Sequence, residues 1–341
     1  MLSKWYIEDG PESDVVISTR IRSARNLKEY PFPVKMGKEQ SEQVINLAYR
    51  TLGKEVEGTN FDFCNVTNIS TIDKEALVEK HLISPNMLDS KVQNGVFLGD
   101  DEKISIMVNE EDHFRIQSMD AGFRIENCLS NLNRIEEYLE SKLEFAFSPR
   151  YGYLTSCPTN LGTGIRVSVM MHLPALVMTE YIDKIIAGCS KVDFTVRGIY
   201  GENTSNIGNI FQISNQVTLG VTVDEIVGNT ISVAKQVISY ERNLRKELYA
   251  SKSVELEDRI YRAYGIFTNA RKISTEEGLK IVSDIRLGID LGLINNIDKR
   301  LLNEIALNIK PANLQKVLGK ELEYNKRDEM RANYIRQKIN K

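Results

Sequence analysis

Arginine residues recur on the alternating segments of this sequence. In residues 15–22 the two-residue period of a strand puts Arg20 and Arg22 on one face, about 7 Å apart. Like charges at that spacing repel unless an anion lies between them, and a planar guanidinium group suits phosphate oxygens. Arg166 begins another alternating run and Arg197 ends a third. This repetition favours a phosphate-binding site over an exposed, salt-bridged edge strand.

Residues 103–115 combine an alternating run with an acidic cluster. If they form one strand, Glu111 and Arg115 share a face and point into one cleft. Glu110 and Asp112 then lie on the opposite face, where we expect mainly structural roles or contacts to Mg²⁺-bound water. Phosphoryl transfer needs positioning and neutralised charge rather than covalent help from the protein, so such a cleft could perform it.

Four ordered segments resemble the guanidino (phosphagen) kinases. They are Ser-Thr-Arg-Ile-Arg at 18–22, Asn-Glu-Glu-Asp-His-Phe-Arg at 109–115, Cys-Pro-Thr-Asn-Leu-Gly-Thr-Gly-Ile-Arg at 157–166 and Val-Arg-Gly-Ile-Tyr-Gly-Glu at 196–202. The chain layout and Arg-Asp-Glu-Met-Arg-Ala at 327–332 resemble more closely the bacterial protein-arginine kinases. The resemblance covers essentially the whole chain. It implies transfer of the γ-phosphate of ATP, with Mg²⁺, to arginine side chains of proteins.

The resemblance also implies which residues bind ATP. Arginines and Mg²⁺ would hold the phosphates, and the chain accordingly has no G-x-x-x-x-G-K-[ST] loop. The implied ATP-binding residues are Ser18, Thr19, Arg20, Ile21, Arg22, His81, Arg115, Arg166, Val167, Ser168, Val169, Met170, Arg197, Gly198, Ile199, Tyr200, Gly201 and Glu202. The five arginines among them would surround the nucleotide phosphates and the transferring phosphoryl group.

The acceptor is a guanidinium group, whose pKa above 12 makes it a poor nucleophile. By the resemblance, Glu111 and Glu202 align this group and one of them accepts a proton. We expect Glu111 to be the base. Cys157 is implied to be a reactive thiol beside the substrate, where a thiolate would favour a cation. The other three cysteines belong to no C-x-x-C pair, so we expect neither disulfides nor a resident metal centre.

These motifs require a fold that aligns several strands. Strands are predicted by alternation at 15–22, 103–115, 164–172, 191–197 and 209–214. Helices are predicted at 39–52, 73–80 and 122–143. The resemblance implies an α+β fold in which helices flank an antiparallel sheet of the guanidino-kinase or glutamine-synthetase-like type. An all-helical C-terminal domain would follow this sheet.

The chain after Gly220 is predicted to be helical. Thr222 and Glu225 form a capping box, and a last helix is expected over 313–339. We place a domain boundary at 251–257. It separates a catalytic domain of residues 1–250, with its core at about 15–245, from a helical domain of residues 258–341 for dimerisation and phosphoarginine sensing.

Two arginines near the C-terminus lie one helical turn apart. The resemblance implies that Arg327, Asp328, Arg331 and Ala332 form an allosteric phosphoarginine-binding pocket linked to dimerisation. Without the resemblance, an ordinary solvated terminal helix would explain the same residues.

Composition limits the possible partners. The 341 residues include 44 Lys and Arg and 47 Asp and Glu, a net charge of −3, which argues against direct nucleic-acid binding. No apolar run approaches the roughly 20 residues of a membrane helix, so we expect a cytoplasmic protein. The resemblance implies a homodimer in stress response and protein quality control. Its implied partners are protein substrates with exposed arginines, a heat-shock repressor among them, a Clp-type protease and a zinc-finger activator protein.

Two rival functions remain open. A kinase of free arginine or another small guanidine is disfavoured because the first strand begins near Val15, which leaves no room for the helical domain that precedes it in those enzymes. A non-catalytic phosphoarginine-binding adaptor is disfavoured because both glutamates and all five arginines are present.

Overall fold

A mixed sheet-and-helix body is followed by a helical C-terminal part in the computed structural model, which describes residues 4–53, 55–56, 58–198 and 207–339. The strands are β1 Val16–Arg25, β2 Phe61–Cys64, β3 Gly95–Gly99, β4 Ile104–Val108, β5 Phe114–Ala121, β6 Phe147–Ser148, β7 Gly152–Tyr153, β8 Ile165–His172, β9 Phe194–Gly198 and β10 Ile210–Asn215. Eight of them form one sheet in the order β2-β3-β4-β5-β1-β8-β10-β9, and β6 pairs with β7. Every pairing is antiparallel, as expected.

Helices pack against the sheet and build the C-terminal part. They are α1 Lys4–Ile7, α2 Lys38–Leu52, α3 Thr71–Glu79, α4 Ile125–Glu140, α5 Pro174–Met178, α6 Ile182–Ser190, α7 Val223–Ser251, α8 Ser253–Asn269, α9 Thr275–Asp290, α10 Lys299–Asn308, α11 Pro311–Leu318 and α12 Tyr324–Ile339. The capping box of Thr222 and Glu225 is present at the start of α7. No helix within the described ranges is both long and apolar enough to cross a bilayer.

The core lies on the side of the sheet that faces α4 and α7. Ile21 of β1, Val167 and Val169 of β8 and Ile213 of β10 are fully buried there. Because side chains alternate along a strand, the residues between them face the opposite side. That opposite side carries the arginines, so apolar burial on one face orients the charged groups on the other.

The prediction of a single strand over 103–115 is wrong. β4 ends at Val108 and β5 begins at Phe114, and the turn between them starts at Asn109, whose φ is +58°. Asparagine tolerates this left-handed conformation better than most residues, and the Asn109 amide also donates to the backbone oxygens of Ser41 and Gln93. Strand alternation therefore does not apply to residues 109–113.

The last helix is also divided where one helix was expected. α11 begins at Pro311 and ends at Gly319, whose φ of +65° is the left-handed conformation that glycine adopts most readily. α12 follows after a short turn. The break gives the C-terminal part an additional corner and lets α12 pack against α8 and α11.

Two large hydrophobic clusters occur along the chain. One extends from Val15 to Ile238, and the other from Leu256 to Ile335. α7 ends at Ser251, and Lys252 has non-helical dihedral angles before α8 begins. These observations support the division near 251–257, which remains a proposal. Contacts across it include hydrogen bonds from the Ala312 and Asn313 backbone to the Glu79 carboxylate, at 2.9 and 2.8 Å.

Candidate active site

Strand register brings four of the predicted arginines onto one face of three adjacent strands. β1 lies between β5 and β8, and Arg22 of β1 pairs directly with Arg166 of β8. On the other side, Arg22 pairs with Gln117 of β5. Arg115 pairs with Ala24, two residue pairs further along β1, and therefore lies on the same face as Arg22. Arg20 is two positions away on the same face as Arg22. Four guanidinium groups therefore lie together although they are up to 146 residues apart in the chain.

Burial and mutual proximity lower the pKa values of three of these arginines. Burial, then Arg115 and Arg166, lowers the pKa of Arg20 to about 10. Burial and the neighbouring arginines also lower the pKa of Arg22, strongly, and that of Arg166. The Nε atoms of Arg22 and Arg166 are buried without a hydrogen-bond partner among the described residues. A bound polyanion would relieve the repulsion and accept these hydrogen bonds.

The arginines border a cavity of about 130 Å³ that also contains carboxylates and a thiol. Arg22, Arg115 and Arg166 line one side, and Glu110, Glu111 and Cys157 are among the other lining residues. Arg197 is exposed near the end of β9, close enough to Arg166 to lower its pKa. The cavity thus joins groups that bind an anion to groups that bind a cation.

Glu111 is the cavity carboxylate with a raised pKa. Burial is the largest cause, and the charges of Glu110 and Asp112 add to it, whereas Arg115 and a hydrogen bond with Cys157 oppose it. A carboxylate with a raised pKa accepts a proton more readily than an ordinary glutamate does. The Cys157 thiol also lies 3.0 Å from the Thr159 hydroxyl oxygen.

Glu110 does not lie on the opposite face from Glu111, contrary to the expectation from strand alternation. Its carboxylate forms an ion pair with Arg115, at 2.9 Å, and its side chain is 1% exposed. Burial raises the pKa of Glu110, but Arg115 and hydrogen bonds outweigh this effect and the net shift is downward. The turn that starts at Asn109 explains why the prediction failed. Both glutamates lie in this turn, where side chains do not alternate between two faces as they do in a strand.

Asp112 and His113 fix the acidic turn in place. The Asp112 carboxylate accepts hydrogen bonds from the Asn26 amide at 2.5 Å and from the Ser156 backbone at 2.7 Å. His113 Nδ1 accepts from the Leu27 backbone at 3.0 Å. Asp112 therefore ties the end of β1 to the loop that carries Cys157. The sequence analysis missed Asn26, although an asparagine directly after the arginine strand was a visible signal.

The remaining residues predicted to bind ATP lie on both faces of the sheet. Ser18, Ser168 and Met170 lie on the arginine side of the sheet, where they line a second small cavity with Arg20 and His81. By contrast, Thr19, Ile21, Val167 and Val169 are buried on the core side, so only their backbones could meet a nucleotide. Thr19, for example, donates its hydroxyl hydrogen to the Gly122 oxygen at 2.7 Å. Gly198 ends β9, whereas Ile199, Tyr200, Gly201 and Glu202 lie outside the described residues.

The C-terminal arginines share a helix face but differ in their surroundings. Arg331 is 2% exposed and donates to the backbone oxygens of Ile309 and Ile273 and to the Asp328 carboxylate, at 2.7, 2.7 and 2.6 Å. Arg327 is half-buried and lies over the Tyr324 ring, at 5.4 Å. Ala332 is fully buried. Arg331 therefore connects α12 to neighbouring elements, and the phosphoarginine-binding role of these residues stays a prediction.

Two family models match this chain over most of its length. One, described as ATP:guanido phosphotransferase, C-terminal catalytic domain, matches residues 43–244. The other, described as Protein-arginine kinase McsB C-terminal domain, matches residues 253–341. Fold, site and the first of these matches define a guanidino phosphotransferase.

Similar proteins show to which family of guanidino phosphotransferases the chain belongs. The protein-arginine kinase of Desulforamulus reducens is 46% identical over 99% of this chain and 96% of its own length. That of Bacillus subtilis is 44% identical over 99% of this chain and 93% of its own length. The chain belongs to the protein-arginine kinase family, and it is a phosphotransferase that phosphorylates arginine residues of proteins.

Solved structures of guanidino kinases share the fold. The duplicated taurocyamine kinase from Schistosoma mansoni with bound transition state analog components has a TM-score of 0.62 and 29% identity, over 69% of this chain and 34% of that chain. This protein therefore spans about a third of that duplicated enzyme. Lombricine kinase is similar in fold, with a TM-score of 0.60 at 24% identity over 70% of this chain and 69% of that one.

Proposed function

We propose that the arginine cluster holds the phosphates of ATP and that Glu111 accepts the proton released by the substrate guanidinium. The observation that carries this proposal is one cavity in which Arg22, Arg115 and Arg166 face a glutamate with a raised pKa. A guanidino nitrogen attacks the γ-phosphorus, the bond from this phosphorus to the β–γ bridging oxygen breaks, and ADP leaves. The attacking nitrogen loses its proton to Glu111. The nitrogen bonded to phosphorus in the phosphoarginine product therefore carries no positive charge.

Mg²⁺ fits this arrangement as an ion that binds together with the nucleotide. Among the described residues no group of three or more His, Cys, Asp or Glu side chains could hold a metal ion. Mg²⁺ usually binds through substrate phosphates, waters and one or two carboxylates. Of the cavity carboxylates, Glu110 pairs with Arg115, whereas Glu111 and Asp112 form no ion pair with an arginine among the described residues. When bound, Mg²⁺ would neutralise charge on the β- and γ-phosphates.

Glu202 and Cys157 complete the proposed acceptor site. Cys157 borders the cavity within hydrogen-bonding reach of Glu111, which supports a place beside the guanidinium. Glu202 retains its proposed role as the second carboxylate on the strength of the motif at 196–202. Two carboxylates would hold the planar guanidinium in line with the γ-phosphorus.

Replacing the proposed base tests this mechanism. We expect Glu111→Gln to lower kcat for phosphorylation of casein by about 10²- to 10⁴-fold, because a positioned base contributes on that order. ADP binding, measured by calorimetry, should persist because the arginines remain. Glu137→Gln, on the exposed side of α4, is the matched control and should retain full activity. A Glu111→Gln enzyme with wild-type kcat would contradict the proposed role of Glu111.

The same assay separates the rival functions. Labelling of casein but not of free arginine is the expected result for the wild type. Labelling of free arginine alone would favour a small-guanidine kinase, and no labelling with intact phosphoarginine binding would favour an adaptor.

The C-terminal part has a proposed regulatory function. Residues 258–341 would form a homodimerisation domain whose phosphoarginine pocket includes Arg327, with Asp328, Arg331 and Ala332 as its wall. Support comes from Arg327, which is half-buried one helical turn from the buried Arg331. Family membership further supports a cytoplasmic role in stress response and protein quality control. The proposed partners there are a heat-shock repressor, a Clp-type protease and a zinc-finger activator.

A further inference from the structure

The arginine face continues beyond Arg20 into a second, smaller cavity. Its volume of about 10 Å³ admits a single oxygen atom or water. Strands β1, β5, β8 and β10 form its floor, and the N-terminal helix α1 closes it through Trp5. The lining residues are Trp5, Ser18, Arg20, His81, Met119, Ser168, Met170 and Gln212.

Two ring nitrogens in this cavity are buried without partners. The Trp5 side chain is 1% exposed, and its Nε1–H has no hydrogen-bond acceptor among the described residues. His81 Nε2 is also buried without a partner among them. The two rings lie 6.4 Å apart, centroid to centroid. Buried polar groups nearly always form a hydrogen bond, so this pair needs a polar atom, of a water or of a ligand, between α1 and the sheet.

The position of the cavity relates it to the nucleotide. Arg22 borders the transfer cavity, whereas Arg20 and Ser18 border the second one. Same-face residues follow one another along a strand at about 7 Å. A nucleotide with its γ-phosphate at Arg22 would extend its phosphate chain past Arg20. Its sugar would then reach the level of Ser18, where Trp5 lies.

The chemistry of the lining favours a hydroxyl group over another phosphate. Arg20 already donates to the Gln212 side chain at 2.8 Å. The other polar groups are an indole, an imidazole, two serines and an amide. Burial, then Lys310, Arg20 and Arg22, holds the pKa of His81 well below its usual 6.5, so the imidazole is neutral. Neutral donors and acceptors match sugar hydroxyls, which carry no charge.

We propose that Trp5 is a nucleotide-binding residue whose Nε1–H donates a hydrogen bond to a ribose hydroxyl oxygen of ATP. This inference rests on the proposed placement of the phosphates in the arginine cluster. It makes the N-terminal helix part of the ATP site, opposite the sheet. Trp5 thereby discriminates nucleotides by their sugar and takes no part in the transfer itself.

A comparison of two nucleotides tests this role in the full-length protein. Trp5→Phe keeps an aromatic ring but removes the N–H. We expect its KM for ATP to rise about tenfold, with kcat and the KM for casein unchanged. With 2′,3′-dideoxy-ATP, wild type and Trp5→Phe should have equal KM values, because the acceptor is missing. Tyr240→Phe, an exposed aromatic on α7, is the control and should match wild type with both nucleotides.

An equal loss with both nucleotides would overturn the proposal, since it would show a packing effect. So would an unchanged KM for ATP. If Trp5→Phe fails to fold, the wild type provides the test, because Trp5 is the single tryptophan of the chain. Saturation with ADP, verified by calorimetry, should shift its fluorescence, and saturation with 2′,3′-dideoxy-ADP should not. Identical shifts would overturn the inference. A separate result tests the proposed placement of the phosphates. This placement would be wrong if Arg22→Ala left the affinity for ADP unchanged.

Discussion

Glu111 is the residue on which the proposed chemistry depends. Its pKa is raised by burial and by two neighbouring acidic residues, and Arg115 limits this rise. A base must be deprotonated to act, so activity is present above its pKa and is lost as pH falls through it. The raised pKa therefore places the acid limb of the rate profile above the usual glutamate value of 4.5.

Removing the charge of Glu110 should move that acid limb. We expect the acid limb of kcat/KM in Glu110→Gln to shift to lower pH, because a like charge no longer raises the pKa of Glu111. The freed Arg115 acts in the same direction. The measurement is a profile of kcat/KM against pH, with Glu29→Gln, an exposed glutamate, as control. A shift to higher pH, or none, would contradict this electrostatic account.

The histidines should not produce an acid limb near pH 6.5, the usual histidine pKa. The chain has three, and burial lowers the pKa of each: His113 to about 4, and His81 and His172 well below 6.5. We expect no histidine ring resonance to titrate between about pH 8 and about pH 6, where an unperturbed imidazole would. An NMR titration of the ring protons checks this. A midpoint near 6.5 for any of the three would show that its ring is accessible to protons.

At the scale of elements, the approach of the Cys157 loop to the sheet depends on one glycine. Gly164 precedes β8 with φ +68°, and a Cβ there would lie 2.5 Å from Arg25 Nη1 and 2.8 Å from the Ala24 oxygen. Arg25 in turn donates to the Thr163 oxygen at 3.0 Å and pairs with Glu136 at 2.8 Å. The loop thus joins the arginine strands without space for a side chain.

Alanine substitutions at two glycines should distinguish backbone strain and steric clash at Gly164 from the ordinary effect of alanine in a helix. We expect Gly164→Ala to lower the free energy of unfolding by at least about 1 kcal/mol, and to lower kcat because the loop carries Cys157. Gly228→Ala on α7 is the matched control, since a Cβ added there would meet no atom within 4 Å apart from the backbone of its own helix. It should leave stability unchanged or raise it by up to about 1 kcal/mol. Urea unfolding compares the two, and equal effects would contradict the argument.

At the scale of the whole molecule, the C-terminal helices are connected to the catalytic part by buried polar contacts. The Glu79 carboxylate at the end of α3 accepts hydrogen bonds from the first turn of α11. His172 at the end of β8 lies 2.8 Å from the Ser283 hydroxyl on α9. A change in the helical part can therefore reach α3, and His81 follows α3 by two residues.

The two C-terminal arginines should respond differently to mutation. Arg331→Ala leaves Asp328 and two carbonyl groups without their donor, so we expect a loss of about 3–5 kcal/mol of stability. Arg327→Ala should change stability by no more than about 0.5 kcal/mol, yet abolish stimulation by added phosphoarginine. Thermal unfolding and casein phosphorylation measure these effects, with Lys326→Ala as control. Stimulation that persists in Arg327→Ala would exclude Arg327 from the regulatory site.

The sequence by itself determined the arginine faces, the capped helices and the family, because these depend on local periodicity and short motifs. It could not determine that Arg22 lies directly opposite Arg166, since strand register is set by contacts between distant segments. It also placed Glu110 on the wrong face, because the turn at Asn109 is stabilised by Ser41 and Gln93 from elsewhere in the chain. Only the tertiary structure brought Trp5 to the second cavity and buried Arg331. Both positions result from packing between segments that are distant in the chain, and the periodicity and short motifs of the sequence do not predict such contacts.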